Sequence, residues 1–452
     1  MNLSSFESSR PASRRGSNTS RHPLWRVLGM PFALAVVCGG SIGSGILRAP
    51  GPVAAALPNA DLLILLWFLG GLLALIEALP LVELSTALPS SGGAIVYVER
   101  AFGYLAGALT GWCSWLQCVI SVAFMAVVFG EFSQRLGVTL SVNRLAIGLI
   151  AFATIVNLAS TRTSGRTQTI GALVKLGLLL ALILALFAAP PVHEATVAKL
   201  PAPALTLGGV IVALMLVNNT YQGWGAVVPF VEEMRDPART VPRAMFIGIA
   251  IITAIYVTMN VALLRALPLS ALSASTLPAG DVLARAAGPV ADRLITALSL
   301  ISVMAIVNLT MMLSARILLA MARSESAPRA FGRIGGNGSP YSATLAGGLV
   351  AALLASSGAY ITLNAMYAPL AIVTTVAVML SAWRLRRTEP TLVRPMRMPA
   401  YPVPIIVALM INVGLLAAFV TTTPVEALGS LGLVALGLPL AALRRRGRRR
   451  LS

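Results

Sequence analysis

The stretch VCGGSIGSGILRAPG, Val37 to Gly51, interrupts a long apolar run that begins near Leu28. Four glycines, Gly39, Gly40, Gly43 and Gly45, fall within seven positions, with Ser41 and Ser44 between them. Glycine in a helix interior costs about 1 kcal/mol relative to alanine. An apolar segment that weakens its own middle is either a packing face, where small residues let helices approach closely, or a place where the helix unwinds. On the glycines alone both readings stand.

The surrounding chain names the solvent. Of 452 residues, 57% are hydrophobic and 11% charged, and the mean hydropathy is +0.85. Soluble domains carry about 25% charged residues, so this chain is an all-α integral membrane protein with the lipid bilayer as its partner. A spanning helix needs roughly 20 mostly apolar residues. Twelve spans are predicted, at 28–56, 62–87, 103–133, 142–159, 168–189, 206–231, 244–266, 296–321, 342–361, 364–384, 401–421 and 426–443. They form one transmembrane domain, 28–443, between basic tails at 1–27 and 444–452. The segment 272–295 is polar enough for an external loop with short helices. PSSGGAIVYVERAFG, Pro89 to Gly103, reads as an interfacial or re-entrant piece.

Net charge is +19, from 34 Lys and Arg against 15 Asp and Glu. In a soluble protein that balance suggests nucleic acid; here the arginines sit in loops and tails, and no nucleic-acid partner is expected. An even number of spans places both termini on one side. That side also carries Arg100, Arg162, Arg166, Arg235, Arg239, Arg243, Arg323, Arg329, Arg333 and the Arg384–Arg397 cluster, against Arg135, Arg144, Lys199, Arg265, Arg285 and Arg293 opposite. The positive-inside rule puts both termini in the cytoplasm, in a multi-pass inner (cell) membrane protein. The polar first 27 residues carry no apolar core with a cleavage site, so no removable signal peptide is expected. Cys38, Cys113 and Cys118 all fall in apolar spans, which gives neither a disulfide framework nor a metal site. His193 and Glu194, in one loop, do not suggest a metal. No Ser/His/Asp set, phosphate loop or nucleotide fingerprint is present, so neither an enzyme, a cofactor nor an ATP-driven pump is expected. A channel would show polar rings in several spans and a sensor a soluble output domain; neither is visible.

The glycine cluster has a counterpart. Span 6 carries NNTYQGWGAVVPF, Asn218 to Phe230, with Gly223 and Gly225 among polar groups and Pro229 after them. Spans 1 and 6 correspond if spans 1–5 and 6–10 are two halves, and paired interruptions at corresponding places point to a transporter binding site. Unwound backbone in lipid leaves N–H and C=O groups unpaired, at several kcal/mol each, unless substrate, ion or water satisfies them. Half-helix N-termini favour an anion, and unwound carbonyls favour a cation. One of each suits an amino acid zwitterion.

These residues resemble a known family. GGSIGSGILRAPG is similar to a span-1 motif with a Gly-Ser-Gly core, SSGGAIVYVERAFG to the Gly-Gly-x-Tyr-x-Tyr segment before span 3, and TYQGWG to the Tyr-x-Gly-Trp break of span 6. VEEMRDPARTVPRAM, SARILLAMAR and RPMRMPAYPVP match the following loop, the end of span 8 and the lead into span 11. The set resembles amino acid permeases of the amino acid–polyamine–organocation superfamily, on the L-amino-acid-transporter-like bacterial branch. The resemblance implies a five-plus-five inverted-repeat core with broken helices 1 and 6, and two extra C-terminal helices. It implies secondary active amino acid transport by alternating access, sodium-independent, as uptake or exchange, with proton linkage left open. It places substrate at Ser41, Ile42, Gly43, Ser44 and Gly45 of the first break and at Asn219, Thr220, Tyr221, Gln222, Gly223 and Trp224 of the second. There the amides of Ser44 and Gly45 would hold the carboxylate, and the carbonyls of Ser41 and of Tyr221 or Gln222 the ammonium. Two positions depart from the family: Asn219 stands where an aromatic lid is common, and Gln222 where an acidic or small residue is. The rival reading within the class is a polyamine or organic-cation permease, which would place carboxylates near the site; NNTYQGW has none. The oligomeric state stays open.

Ionisable groups at membrane depth are functional candidates by default. They are Arg48, Glu77, Glu83, Lys175 and Arg316. Glu83 and Arg316 match family positions near span ends and are expected to pair or cap. Glu77, about two turns deeper, either takes part in proton coupling or pairs with a neighbour. Arg48 either attracts carboxylates or anchors span 1. Lys175, in IGALVKLGLLLAL, has no acidic residue within a turn. In the resembling permeases a lysine here takes the place of sodium, which implies an ammonium tied to the span-1 break near Gly40 and Ser41.

Overall fold

The computed structural model describes residues 28–159, 161–191, 205–275, 277–336, 338–357, 360–422 and 424–449. The predicted tail 1–27, the last residues of the tail 444–452, and the loop with His193, Glu194 and Lys199 lie outside them. The helices run, in order, α1 (Met30–Ser41), α2 (Ser44–Arg48), α3 (Pro50–Ala56), α4 (Ala60–Ala87), α5 (Ala94–Phe102), α6 (Tyr104–Arg135), α7 (Val142–Ala159), α8 (Thr161–Ala188) and α9 (Leu207–Tyr221). A 3-10 stretch, Trp224–Glu233, follows. Then come α10 (Pro237–Ala266), α11 (Leu269–Ala274), α12 (Pro278–Ala287), α13 (Pro289–Arg323), α14 (Tyr341–Ser356), α15 (Tyr360–Thr388), α16 (Val403–Thr422) and α17 (Pro424–Arg449).

Among the described residues nine stretches are long and apolar enough to cross a membrane. The other three predicted spans are helical too: span 6 is broken between α9 and the 3-10 stretch, and α14 and α17 carry shorter apolar runs. Two helices start seven residues early at a proline. Span 7 starts at Pro237, not 244, and span 8 at Pro289, not 296, because proline fits the first helical turn, where its missing N–H is no loss. The polar segment 272–295 is therefore largely helical. Starts elsewhere follow side-chain caps: Asn59 accepts from Leu62 N at 2.8 Å and Thr206 from Gly209 N at 3.0 Å, satisfying amides that a helix start leaves orphaned. Gly103, at φ +90°, turns α5 into α6.

Spanning helices carry apolar residues towards both core and lipid, and α4 does: Trp67 and Leu63 are buried while Phe68 and Leu72 on its other side are exposed. Phe152, Leu184 and Leu349 extend this outward apolar surface on other helices, the face expected against lipid. Inside, one buried cluster rests mainly on α1, α4, α9 and α10, and a second on α6, α7, α13 and α14.

The arginine-rich end is fastened by ion pairs. Glu83 meets Arg386 and Arg394 and accepts Met398 N at 2.7 Å. Glu232 meets Arg323 at 3.1 Å and accepts Ser91 N at 2.9 Å. Glu233 and Arg316 are both buried and joined twice, at 2.6 and 3.1 Å, with the guanidinium 4.4 Å from the Phe230 ring centroid. Glu83 and Arg316, each expected to pair or cap, thus both sit in ion pairs, with different partners. Removing one partner of a buried pair leaves an uncompensated charge and costs about 3–5 kcal/mol. Glu233→Ala is therefore expected to lower the melting temperature in detergent far more than Glu325→Ala, whose partner Arg329 is exposed. Equal shifts would contradict this.

Candidate functional site

α1 stops at Ser41. Ile42 and Gly43 are extended, and the chain resumes as a helix at Ser44. Ala49 keeps helical angles and Val53 N donates to its carbonyl at 3.0 Å, so α2 and α3 run on as one rod. A helix end leaves its last four carbonyls without intrahelical partners. Three of those of α1 have partners. Cys38 O accepts Ile42 N at 2.8 Å. Gly39 O accepts Lys175 Nζ at 2.9 Å. Ser41 O accepts the Tyr256 hydroxyl at 2.7 Å. Lys175, 2% exposed, thus sits at the negative end of α1, where a cation is favoured, one residue before the predicted Gly40 and Ser41.

The second break is built against the first. α9 ends at Tyr221, Gln222 is extended, and Gly223 takes φ +111° before the 3-10 stretch. A Cβ on Gly40 would stand 2.8 Å from Gly223 O, and one on Gly223 would strike the Gly40 carbonyl. The two unwound backbones touch, and only glycine permits it. Tyr256 reinforces the junction: its hydroxyl also lies 3.2 Å from Thr220 O, so one side chain of α10 holds a carbonyl from each break.

The four glycines divide between the two readings. Gly39 packs on α8, where an added Cβ would lie 3.2 Å from Ala172 Cβ, as a packing face requires. Gly40 gives the close approach. Gly43 and Gly45 begin the second rod, Gly45 with Thr220 Cγ2 3.1 Å from its would-be Cβ.

A cavity of about 530 Å³ lies at the junction, reaching from Arg48 and Pro52 at one end to Gly92 and Ile95 at the other. Ser41, Gly43, Gly45, Asn219, Thr220, Gln222, Gly223 and Trp224 line it, as does Glu77. Ile42 and Tyr221 do not: Ile42 is packed in the core, and the Tyr221 hydroxyl donates to Trp67 O at 2.7 Å. Consecutive helical residues point about 100° apart, so with Thr220 facing Gly45 the neighbouring ring faces α4. Ser44 contributes the first backbone position of α2. Lys175 lies behind α1, off the cavity wall. The rest of the wall is apolar with scattered hydroxyls and amides, among them Ser121, Thr310 and Gln117. Arg48 reaches Glu131 at 3.5 Å and lies 5.3 Å from the Phe132 ring centroid, at the cavity's end. Among the described residues no cluster of three metal-ligating side chains occurs.

Sequence reading missed Tyr256 and Asn412. Tyr256 is a lone tyrosine in an apolar span, its partner Ser41 215 residues away; only the unusual burial of a hydroxyl in lipid-facing sequence hints at a bond. Leaving two buried acceptors short costs about 1–3 kcal/mol. Tyr256→Phe is expected to weaken substrate affinity roughly tenfold with expression retained, as read by competition binding. Unchanged affinity would mean that the breaks hold their geometry without the hydroxyl.

The chain is similar in sequence to known proteins. The amino acid permease family profile matches residues 28–434. The serine/threonine exchanger SteT of Bacillus subtilis (strain 168) is 30% identical over 320 residues, 69% of this chain and 71% of that protein. The large neutral amino acids transporter small subunit 2 of Oryctolagus cuniculus is 31% identical over 265 residues, 56% of this chain and 49% of its own length. The b(0,+)-type amino acid transporter 1 of Mus musculus is 28% identical over 250 residues, 53% and 51%. The aligned part thus spans about half the length of these mammalian relatives.

Proposed function

The chain belongs to the amino acid permease family, and from that premise we propose that it is a secondary transporter of amino acids working by alternating access, independent of sodium, as uptake or exchange. It is a transporter, not an enzyme, and its substrate is a small amino acid-like molecule. One observation carries the reading: two broken helices meet backbone to backbone, Gly40 against Gly223, on the wall of a cavity large enough for an amino acid. In this reading the amides of Ser44 and Gly45 receive the substrate carboxylate, since the first amides of a helix have no intrahelical acceptor. Its ammonium goes to the carbonyls opposite. Ser41 O already serves Tyr256, but a carbonyl carries a second lone pair. The exchanger activity named for SteT favours exchange as the mode. The family and its bacterial member SteT support an inner-membrane location, and the arginine distribution supports both termini in the cytoplasm.

Sodium independence rests on Lys175, whose ammonium already supplies a cation at the end of α1. The test is purified protein in liposomes, given a panel of labelled amino acids with and without sodium, a pH gradient and internal substrate. Uptake of at least one amino acid without sodium, stimulated by internal amino acid, is the expected result. Strict sodium dependence, or no amino acid uptake at all, would overturn the reading.

Asn219 lines the cavity, at the position where the resemblance noted in the sequence implies an aromatic lid. As a polar ceiling it favours small or hydrogen-bonding side chains. Asn219→Phe is expected to shift the competition ranking towards larger apolar amino acids; an unchanged ranking would remove Asn219 from substrate selection.

A further inference from the structure

We propose that Glu77, held by Asn412, is a second recognition point on the cavity wall that takes an additional ammonium group of the substrate. This rests on the amino acid transport reading above and names a substrate class for it: diamino acids and related amines. Glu77 is 2% exposed, yet it lines the cavity. Asn412 Nδ2 donates to its Oε1 at 2.6 Å and also to Ala408 O at 2.9 Å, which spends both N–H groups of the amide and fixes the carboxylate from behind. Among the described residues Glu77 forms no ion pair, whereas Glu83, Glu232 and Glu233 each meet an arginine.

Its height in the bundle places it beside the substrate. Gly225, two residues beyond the second break, faces Leu81, one turn after Glu77 on α4; a Cβ there would stand 3.2 Å from Leu81 Cδ2. Side chains on a helix lean towards its N-terminus, so the carboxylate lies level with the unwound segment of span 6. A buried carboxylate with only a neutral donor is costly. An incoming ammonium supplies the missing charge and a charge-assisted hydrogen bond. A neutral side chain supplies neither. The carboxylate that an amine-transporting site requires, absent from NNTYQGW, thus comes from span 2.

The test uses the full chain in liposomes. Uptake of a labelled neutral amino acid is competed with 2,3-diaminopropionate, 2,4-diaminobutyrate, ornithine and lysine, each against a neutral amino acid of matching length. For wild type, at least one diamino acid is expected to compete roughly tenfold better than its neutral match, the factor a charge-assisted hydrogen bond supplies. In Glu77→Gln that ratio falls to about one. Glu77→Asp, shorter by one methylene, moves the preference to a longer diamino acid. The readout is a ratio within each variant, so a general loss of transport does not move it. If Glu77→Gln cannot be recovered, the wild-type ratios decide alone. No preference for any diamino acid in wild type, a preference that survives Glu77→Gln, or a variant altered only in the pH dependence of neutral uptake would overturn the proposal, the last in favour of a proton site. A wild type that takes up no amino acid would sink the transport reading instead.

Discussion

Lys175→Ala is expected to cut the initial rate of amino acid transport by roughly ten- to a hundredfold, the range given by losing one hydrogen bond to a charged donor in a buried place. The substitution removes the partner of Gly39 O, the only hydrogen bond found for Lys175 Nζ among the described residues. It also removes a cation from the end of a helix whose last residue, Ser41, lines the cavity. Without it α8 loses its polar tie to α1, and the first break loses a fixed position relative to the second. Because Gly39 and Ala172 still pack together, the helices stay in contact and the protein should still be recovered folded from detergent. Lys175→Arg retains charge but brings a planar fork into a site sized for an ammonium, and should restore little. The decisive measurement is transport by purified variants at equal protein density, with folding checked by monodisperse elution. Full transport by Lys175→Ala would end the role given to Lys175 here.

What local sequence conveys in this chain is helix and interruption. Long apolar runs give the spans, and crowded glycines with polar neighbours give both breaks, because each depends on residues within a turn or two. Lys175 stood out for the same reason, a charge with no local compensation. Partners across the bundle are another matter. Tyr256 and Ser41, Glu77 and Asn412, Glu233 and Arg316 are 215, 335 and 83 residues apart, and no periodicity in one span encodes which face meets which. Glu233 passed as part of a loop motif for that reason, although it closes a buried ion pair. The direction of Tyr221 was lost similarly: membership in a motif gave its place in the chain but not its rotation about α9. Span 8 began earlier than its apolar run because helix formation in its first turns is set by Pro289 and not by hydropathy.

Gly45→Val should abolish substrate binding, a loss of a hundredfold or more, in a protein that is still inserted and folded. Roughly 3 kcal/mol is enough for that factor, and two separate causes supply it. The first is steric. A Cβ at Gly45 lies 3.1 Å from Thr220 Cγ2 and 3.4 Å from Thr220 Oγ1, and the two valine methyls extend further into the same space. Thr220 is not free to retreat, since its hydroxyl donates to Leu216 O at 2.8 Å within α9 and its carbonyl is held by Tyr256. The second cause is access: bulk at Gly45 covers the amide to which the substrate carboxylate is assigned. A double-mutant cycle separates them, because contacting residues couple and independent ones add. Gly45→Ala should weaken binding less than valine does, and adding Thr220→Ser, which deletes Cγ2 and keeps the hydroxyl, should restore much of the loss. Recovery identifies crowding between the two breaks as the cause. No recovery, with binding still lost, identifies the covered amide. Normal binding by Gly45→Val would exclude both and move the carboxylate away from the first break.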